Sequence, residues 1–195
     1  SARRWGRWGD ITLTAAASIT LAGPIDVSGS TPDGDAGSLD INAGMDVSQT
    51  APIFAAALGL GCGSDLFIAA VNLLTLGDVD VSGGALCGGG SVNGTSRGRL
   101  VARGQLNADA DVGVLSGEID LRATDLDVEG NLHADGLNGG VGGLVTLHGC
   151  TLSMASGARV STMGEGGTNT LSANGPMVVA GVLLAGKTNL LRLPA

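Results

Sequence analysis

The chain has almost no aromatic side chains: two Trp, two Phe and no Tyr among its 195 residues. A wide ligand pocket usually carries more rings, so this composition argues against a large aromatic-lined cavity and for a narrow aliphatic core. With only five prolines and no strict Gly-X-Y triplet, the 35 glycines exclude a collagen helix and a proline-rich disordered chain. The glycines therefore mark the turns of a folded domain.

Positive charge is also scarce, with ten Lys and Arg against 18 Asp and Glu and a formal net charge of −8. Apart from a short basic and aromatic arm at residues 1–8, the cations are scattered, so the sequence predicts no nucleic-acid partner. No apolar run is long enough to cross a bilayer and no segment has the order of a signal peptide, which predicts no membrane span. We expect the arm to cap the domain or to continue into a longer chain.

Short strands that alternate apolar and polar residues recur along the chain. Residues 11–13 (Ile-Thr-Leu), 19–21 (Ile-Thr-Leu) and 25–27 (Ile-Asp-Val) form a triplet, and a similar triplet returns within residues 119–134. This period of two predicts strands with one buried face, whereas a helix would need apolar residues three and four apart. Self-similarity over about twenty to fifty residues is typical of a solenoid, whose units bury their apolar faces by stacking.

We therefore predict an all-β fold: a right-handed parallel β-helix with three short strands per coil and about seven to eight coils. The apolar content of 44% is ample for one core, so residues 9–195 are predicted to form a single domain after the arm at 1–8. The first inward residues of the leading strands are predicted to be Ile11, Leu39, Leu66, Leu100, Ile119, Val145, Leu171 and Leu190. Coil length then varies mainly after the third strand, in glycine-rich segments expected to adopt positive φ angles. These segments should lie along one edge of the rod, and we expect function there.

Three cysteines are too few for a disulfide scaffold and lack the spacing of a zinc site. Cys62 and Cys87 lie 25 residues apart, close to one coil, so stacked coils would bring them within disulfide reach. If they pair, an oxidising exterior follows; if all three thiols are free, the compartment stays open. Cys150 lies two residues before Leu152 and four before Met154, so an alternating strand would place all three on the same side. This predicts that Cys150 is an inert thiol in the core.

Several acidic residues stand beside glycines and offer the oxygen ligands that calcium binds. The calcium candidates are Asp33, Asp35, Asp109, Asp111 and Asp135. Such residues are also common turn formers, and no segment repeats the GGxGxDx nonapeptide of calcium-loaded β-rolls, so we expect no cofactor and keep calcium as the alternative. Outward aspartates can perform acid–base catalysis, but two histidines, no Tyr and few cations give no residue set with a catalytic geometry. We therefore expect no enzyme activity.

Apolar residues predict contact surfaces in one loop and at both ends of the rod. The run 53–60 is longer than one strand requires, and it either forms a patch for a partner or folds over the coil. An uncapped β-helix end exposes backbone groups and an open core, and the sequence contains no amphipathic helix to cap one. The predicted interface residues are Trp5, Trp8, Ile53, Phe54, Leu58, Leu190, Leu191 and Leu193. We expect a longer solenoid or another copy to meet these ends, and stacking of copies would build an open filament.

The segment 9–13 (Gly-Asp-Ile-Thr-Leu) leads into 23–29 (Gly-Pro-Ile-Asp-Val-Ser-Gly), and similar spelling covers most of residues 9–191. This pattern resembles the glycine-rich β-helix repeats of large bacterial surface and secreted proteins, such as filamentous-haemagglutinin-like adhesins and autotransporter passengers. The resemblance implies an extracellular or cell-surface, non-catalytic rod for adhesion, matrix or display, with other copies, surface proteins or glycans as partners. The chain departs from those families in lacking a secretion signal, a translocator and long uniform repeats.

A carbohydrate-active β-helix is the alternative function: a polysaccharide lyase or hydrolase, or a tailspike fragment. An acidic groove lined by aromatic residues would favour it, because such rings form platforms for sugars. The scarcity of aromatic residues is the observation that counts against it.

Overall fold

A computed structural model describes residues 9–30, 32–111 and 114–194, and the side chain of Asp33 lies outside the described part. The described chain consists of short strands joined by turns and loops. In chain order the strands are β1 (Ile11–Ala15), β2 (Ile19–Leu21), β3 (Ile25–Asp26), β4 (Asp33–Gly34), β5 (Leu39–Ala43), β6 (Val47–Gln49), β7 (Ile53–Phe54), β8 (Leu58–Gly59), β9 (Asp65–Ala70), β10 (Leu73–Leu76), β11 (Val79–Asp80), β12 (Ser91–Ser96), β13 (Arg99–Ala102), β14 (Leu106–Asn107), β15 (Glu118–Val128), β16 (Asn131–His133), β17 (Leu144–Met154), β18 (Arg159–Thr162), β19 (Thr168–Ala173), β20 (Met177–Val179), β21 (Val182–Ala185) and β22 (Thr188–Arg192). One 3-10 helix, Leu137–Gly139, interrupts the loop between β16 and β17.

The strands stack in parallel into a solenoid of seven coils, and β22 is the leading strand of the next one. Each coil has a leading, a second and a third strand, as in β1, β2 and β3. Leading and second strands belong to one 13-stranded sheet because β15 and β17 run through both faces, while the third strands form a separate seven-stranded sheet. A small antiparallel pair, β4 with β8, lies outside this stack. The predicted all-β parallel solenoid with three strands per coil is confirmed.

The core forms because the register places apolar side chains directly above one another. In β9, for example, Leu66, Ile68 and Ala70 are buried, while the residues between them face outwards. Leu66 pairs with Leu39 in the coil before and with Val92 in the coil after it. Each fully buried Leu or Ile side chain contributes about 1.5–3 kcal/mol relative to an exposed one, and the column repeats that gain in every interior coil.

The fourth coil begins earlier than the sequence predicts. Its leading strand is β12, in which Val92 pairs with Leu66 and Ile119, so the spacing between these inward residues is a regular 26 and 27 residues. Leu100, predicted as the leading residue, belongs to the second strand β13 and pairs with Leu126. The pattern misleads because Gly94 occupies an inward position of β12, and the side chains of neighbouring leucines fill the space beside it.

The last coils also differ from the prediction. The first inward residue of β19 is the buried Asn169, which pairs with Val145, and Leu171 is the second. In β22, Leu191 pairs with Leu171 and lies in the inward column, whereas Leu190 pairs with Thr170 on the outward side. The prediction of Leu190 as an inward anchor is wrong because the inward column of these two coils starts with an asparagine.

The loops between third and leading strands lie along one edge of the rod, as the sequence predicts. The first of these connections has twelve residues, the next four have ten each, and the last two have five and two. The edge is therefore wide and regular beside the first coils and narrows sharply beside the last ones. We call this surface the loop edge.

Close stacking of the backbone is the main reason for glycine at the loop edge. Gly90, Gly117 and Gly143 occupy equivalent corners of successive coils just before the leading strands. A Cβ on Gly117 would overlap the carbonyl oxygen of Gly90, and one on Gly143 would overlap that of Gly117. Positive φ angles in the described residues are confined to Asn138 and four glycines. The prediction that positive φ explains this edge is therefore wrong for these three corners.

Candidate functional site

A disulfide bond joins Cys62 to Cys87 across the loop edge, with their Cα atoms 4.7 Å apart. The two residues lie in successive edge loops, so the bond ties the second connection to the third. The backbone N–H of Cys62 also donates a hydrogen bond of 2.9 Å to the carboxylate of Asp35 in the first edge loop. Three successive edge loops are thus held together by side-chain links.

Cys150 is exposed, and the prediction of a buried core thiol is wrong. It sits where β17 turns from the leading face to the second face, and the alternation of buried and exposed residues shifts there: Gly149 is buried, whereas Cys150 and Thr151 both face outwards. The alternation of buried and exposed residues counted back from Leu152 therefore does not extend across this corner to Cys150.

A groove of about 550 Å³ runs along this same corner. Arg97, Arg122, His148 and Cys150 contribute to its lining. Arg122 is held by Asp120 in a two-pronged ion pair with its shortest contact at 2.6 Å, and His148 Nδ1 lies 2.8 Å from the hydroxyl of Ser172. The side chains of Arg122 and His148 are thus already engaged by protein partners.

The predicted calcium ligands are dispersed over several contacts. Asp35 accepts the hydrogen bond from Cys62, and Asp111 accepts one of 3.1 Å from the side chain of Asn138. The side chain of Asp33 lies outside the described residues. Within the described part of the chain, no group of three or more His, Cys, Asp or Glu side chains is arranged to hold a metal ion. Of the five candidates, the structure brings Asp109 and Asp135 together.

Asp135 is the centre of a polar cluster where the third face meets the loop edge. Its carboxylate accepts hydrogen bonds from the hydroxyl of Ser161 at 2.6 Å and from the backbone N–H of Met163 at 2.6 Å. His133 Nδ1 lies 3.5 Å from the same carboxylate. The backbone N–H of Asp135 in turn donates to the carboxylate of Asp109, one coil earlier, at 2.6 Å. Two carboxylates therefore stand next to each other in different hydrogen-bonding surroundings.

The pKa values of the two carboxylates are shifted in opposite directions. Burial, with a further contribution from the charge of Asp135, raises the pKa of Asp109 despite the backbone hydrogen bond that it accepts. Burial is also the largest single influence on Asp135, but hydrogen bonds from His133, Ser161 and Met163 together outweigh it and lower the pKa of Asp135. Asp135 is thus held as the anion, and Asp109 is the more easily protonated member of the pair.

A second groove, of about 500 Å³, lies on the loop edge where it meets the leading face. We call it the edge groove. Its lining includes glycines of the corner positions described above, because corners without side chains leave a trough along the rod. On the leading face it is bordered by the first residues of successive leading strands: Asp65, Ser91, Glu118, Leu144 and Thr168.

Ser116 lies in the lining of the edge groove and is only 4% exposed. Its hydroxyl is the one buried side-chain N or O atom of the described residues that has no hydrogen-bond partner. Its neighbour Leu115 is 62% exposed and also lines the groove. A buried hydroxyl without a partner costs stability.

The two ends of the described solenoid expose positions that are buried in the interior coils. Leu171 is fully buried, whereas Leu191 directly after it in the same column is 53% exposed. Ile11 and Leu13, in the first coil, are only half-buried, although their partners in β5 are fully buried. Among the described residues, β22 pairs only with β19 and β1 only with β5.

The remaining predicted interface residues fall in different environments. Ile53 is buried in the inward column between Ile25 and Val79, so its prediction as a surface residue is wrong. Phe54 and Leu58, from the same run, are 43% and 51% exposed. Leu190 is half-buried and Leu193 is exposed beyond β22, while Trp5 and Trp8 lie outside the described residues.

Ser116, in the lining of the edge groove, and Asn169, in the inward column of β19, are not singled out by the sequence. Ser116 follows an apolar residue and precedes a glycine, which is ordinary loop spelling. Asn169 reads as an outward residue, because a polar side chain in an alternating strand normally faces solvent. Neither residue carries a signal in the sequence, since its role depends on what the adjacent coil places beside it.

Comparison with protein-family models, with curated proteins and with solved structures finds no match to this chain. The fold and the geometry of the molecule therefore carry the functional argument. In the described residues, no helix is long and apolar enough to cross a membrane.

Proposed function

We propose that this chain is a non-catalytic structural or adhesive module of an extracellular β-helix rod, and that its ends stack on other copies or on further coils. The observation that carries the proposal is the exposure of inward-column residues at both ends of the described solenoid. Leu191 occupies the same column as the fully buried Leu171 and differs from it in having no coil above it within the described residues. A solenoid gains stability from each coil that covers the last, so such an end favours a further coil.

Backbone geometry supports the same proposal. A copy placed head to tail would continue the parallel pairing that joins β19 to β22, because every coil runs in the same direction. Contacts of this heterologous kind repeat without closing and build filaments. The rise between parallel strands is about 4.8 Å, so seven to eight coils give a longitudinal repeat of about 35 Å.

The disulfide supports the extracellular part of the proposal. Cys62 and Cys87 are positioned for a bond that persists in oxidising compartments and is rare in the cytosol. A thiol count in denaturant tests it: one free thiol is expected from secreted material, and three free thiols would contradict the extracellular assignment.

Self-assembly is tested by sedimentation velocity over a concentration series together with negative-stain electron microscopy. We expect the wild-type protein to form longitudinal oligomers, and Leu191→Lys to prevent them by placing a charge in the open column. Val178→Lys is the matched control, since Val178 is an exposed apolar residue on the outward side of β20. Monomers at every concentration, or equal effects of the two variants, would contradict end-to-end assembly.

A carbohydrate-active β-helix stays the second candidate because of Asp109 and Asp135. Two neighbouring carboxylates with pKa values shifted in opposite directions are a common arrangement for a general acid and a base. However, the carboxylate of Asp135 is already occupied by Ser161 and Met163. Release of reducing ends or unsaturated products from polysaccharides, abolished by Asp109→Asn, would favour catalysis over the structural role.

A further inference from the structure

We propose that Asn93, on the leading face of the fourth coil, is an acceptor site for an N-linked glycan whose first sugar packs on the ring of Phe67. The proposal rests on the extracellular part of the proposed function, because this modification belongs to secreted chains, and it does not depend on self-assembly. Three observations carry it: the tripeptide 93–95 (Asn-Gly-Thr), the outward position of its two polar side chains in β12, and an exposed aromatic ring beside Asn93.

The tripeptide fits the acceptor pattern Asn-x-Ser/Thr, in which x is not proline. Asn93 is the one asparagine of the sequence that Ser or Thr follows two residues later. The alternation of β12 turns Gly94 into the core, so Asn93 and Thr95 share the outward side of the strand, where Thr95 is exposed and Asn93 half-buried. Both side chains that the pattern requires therefore lie on the solvent side of the folded protein.

The hydrogen bonding of Asn93 is compatible with an attached sugar. The backbone of β12 is paired with β9 on one side and with β15 on the other, so the side-chain amide is the group that Asn93 has left to offer. The amide nitrogen (Nδ2) donates a hydrogen bond of 3.0 Å to the hydroxyl of Ser91. A primary amide has two N–H groups, and glycosylation replaces one of them. The remaining N–H can keep the bond to Ser91.

The neighbour of Asn93 in the previous coil is an aromatic residue. Phe67 pairs with Asn93 in register, faces outwards and is 50% exposed. Parallel strands are about 4.8 Å apart, so a sugar attached to the amide reaches the ring, and its carbon face would remove apolar area of the ring from water. A single exposed apolar side chain is ordinary on a protein surface. Here, however, one of only two Phe residues lies directly beside the sole acceptor asparagine.

The transfer exchanges one bond at the anomeric carbon of the donor, a sugar activated as a pyrophosphate ester that the host supplies together with its transferase. The anomeric C–O bond breaks and the pyrophosphate leaves with the electron pair. The nitrogen of Asn93 forms the new C–N bond and loses one proton to a base of the transferase. Nothing is oxidised or reduced, and the rod supplies no catalytic residue.

The position of Asn93 along the rod leaves the ends accessible. Its coil, the fourth of seven, has three coils on the N-terminal side and three on the C-terminal side. An N-linked glycan is bulky and solubilising, so it would cover the middle of the leading face and keep rods from packing side by side through it. Stacking through Leu191 at the end of the rod would be unaffected.

Secretion from cultured insect cells, with the chain placed behind a cleavable leader, tests the site. Intact mass and peptide mapping, before and after treatment with peptide N-glycosidase, measure the modification. We expect a glycan on the peptide that contains Asn93, its loss in Thr95→Ala, and its retention in the matched control Thr95→Ser, which keeps the hydroxyl. Unmodified Asn93 in the secreted wild type, or a glycan that persists in Thr95→Ala, would overturn the site.

A thiol count on the same secreted sample separates this proposal from the one on which it rests. One free thiol together with unmodified Asn93 would overturn the glycan site alone, because the disulfide between Cys62 and Cys87 would have formed. Three free thiols would contradict the extracellular assignment itself.

A double-mutant cycle tests the contact with Phe67. Thermal denaturation compares the glycosylated wild type with Asn93→Gln, and makes the same comparison in Phe67→Ala. We expect the glycan to raise the melting temperature by about 1–4 °C beside Phe67 and by less than about 1 °C in Phe67→Ala. Leu73→Ala is the matched control background, since Leu73 is an exposed apolar residue of the second face and should leave the effect of the glycan unchanged. Equal effects with and without the ring would overturn the role of Phe67.

Discussion

Leu171 and Leu191 are the same residue type in the same inward column, yet Leu171 is fully buried and Leu191 is 53% exposed. What differs is the presence of a coil above. In this solenoid the core is created by stacking, and the sequence of one coil does not by itself decide whether a side chain is core or surface.

The interior and the C-terminal coils differ in their loop edges as well. Four interior connections have ten residues each, and two of them are joined by the disulfide between Cys62 and Cys87, whereas the last connections have five and two residues. The interior therefore has a broad, crosslinked edge that carries the edge groove, and the last coils have little more than their strands. This contrast predicts a gradient of stability along the rod.

The largest expected effect compares the same truncation in the two regions. Leu121→Ala should lower the free energy of unfolding by about 2–5 kcal/mol, because Leu121 is fully buried in β15 and its loss leaves a cavity. Leu191→Ala should cost the monomer less than about 1 kcal/mol, because its side chain already meets water. Urea denaturation at low protein concentration measures both. Equal losses would mean that the terminal column is covered in solution.

The second prediction concerns the crosslink that only the interior has. Reducing the bond between Cys62 and Cys87, or replacing both cysteines by alanine, should cost about 2–4 kcal/mol by restoring freedom to the unfolded chain. Cys150→Ser is the control and should have little effect, since this thiol is free and exposed. Hydrogen exchange should accelerate in the edge loops around the two cysteines before it does so in the strands. An unchanged melting temperature after reduction would show that coil stacking alone holds this edge.

The third prediction tests the polar cluster of the interior by pH. Hydrogen bonds lower the pKa of Asp135, so its stabilising contribution is present above the ordinary aspartate pKa and is lost as pH falls through the lowered value. Asp135→Asn should therefore cost about 1–3 kcal/mol near neutral pH, because an amide cannot accept all the bonds that the carboxylate accepts. The cost should fall progressively in acid, because the wild-type carboxylate then becomes protonated and loses the same bonds. Urea denaturation at several pH values measures the difference.

Asp109→Asn is the matched control and should act with the opposite sign. The raised pKa of Asp109 means that its favourable contribution holds at low pH and is lost as pH rises through that value. The asparagine can still accept the bond from the backbone N–H of Asp135 without a second negative charge. We expect equal or higher stability near neutral pH. A loss as large as that of Asp135→Asn would contradict the assignment of the two environments.

Sequence patterns predict the fold well here because alternation is a local property. The predicted inward positions of Leu39, Leu66 and Ile119 are correct, since the alternation within each strand is enough to identify its buried face. The prediction fails for the fourth coil because Val92 is the sole aliphatic inward residue of β12. At Gly94, the next inward position, leucine side chains from neighbouring strands fill the space. Leucine at position 100 is the stronger local signal, and it belongs to the second face.

The candidate site is much less predictable than the fold, because it depends on the relation between coils. The disulfide between Cys62 and Cys87 is predictable, since a separation of about one coil is enough to place two residues of successive edge loops side by side. The opposite surroundings of Asp109 and Asp135 depend on Ser161 and Met163, one coil further on. The isolation of the Ser116 hydroxyl is an absence of neighbours, which no single strand can indicate.

The smallest expected effect lies in the polar ladder of the last coils. Asn169 occupies the inward column where interior coils have aliphatic residues, and its amide donates to the carbonyl of Leu184 and to the side chain of Asn189, both at 2.7 Å. Asn189→Ala should cost the monomer about 0.5–1.5 kcal/mol, since Asn189 is exposed and Asn169 keeps its other bond. Asn169→Ala should cost more, because it leaves Leu184 and the hydroxyl of Thr162 without their partner.

The effect of Asn189→Ala also reports on the end of the rod. If another copy covers β22, the bond between Asn169 and Asn189 becomes fully buried and loses its competition with water, so the cost of the substitution should rise with protein concentration. Thermal denaturation over a concentration series measures this dependence, with Ser153→Ala, on the outward side of the second face, as the control. A cost that is constant over the series would mean that β22 stays uncovered, and the open column at Leu191 would then be a surface that the molecule tolerates.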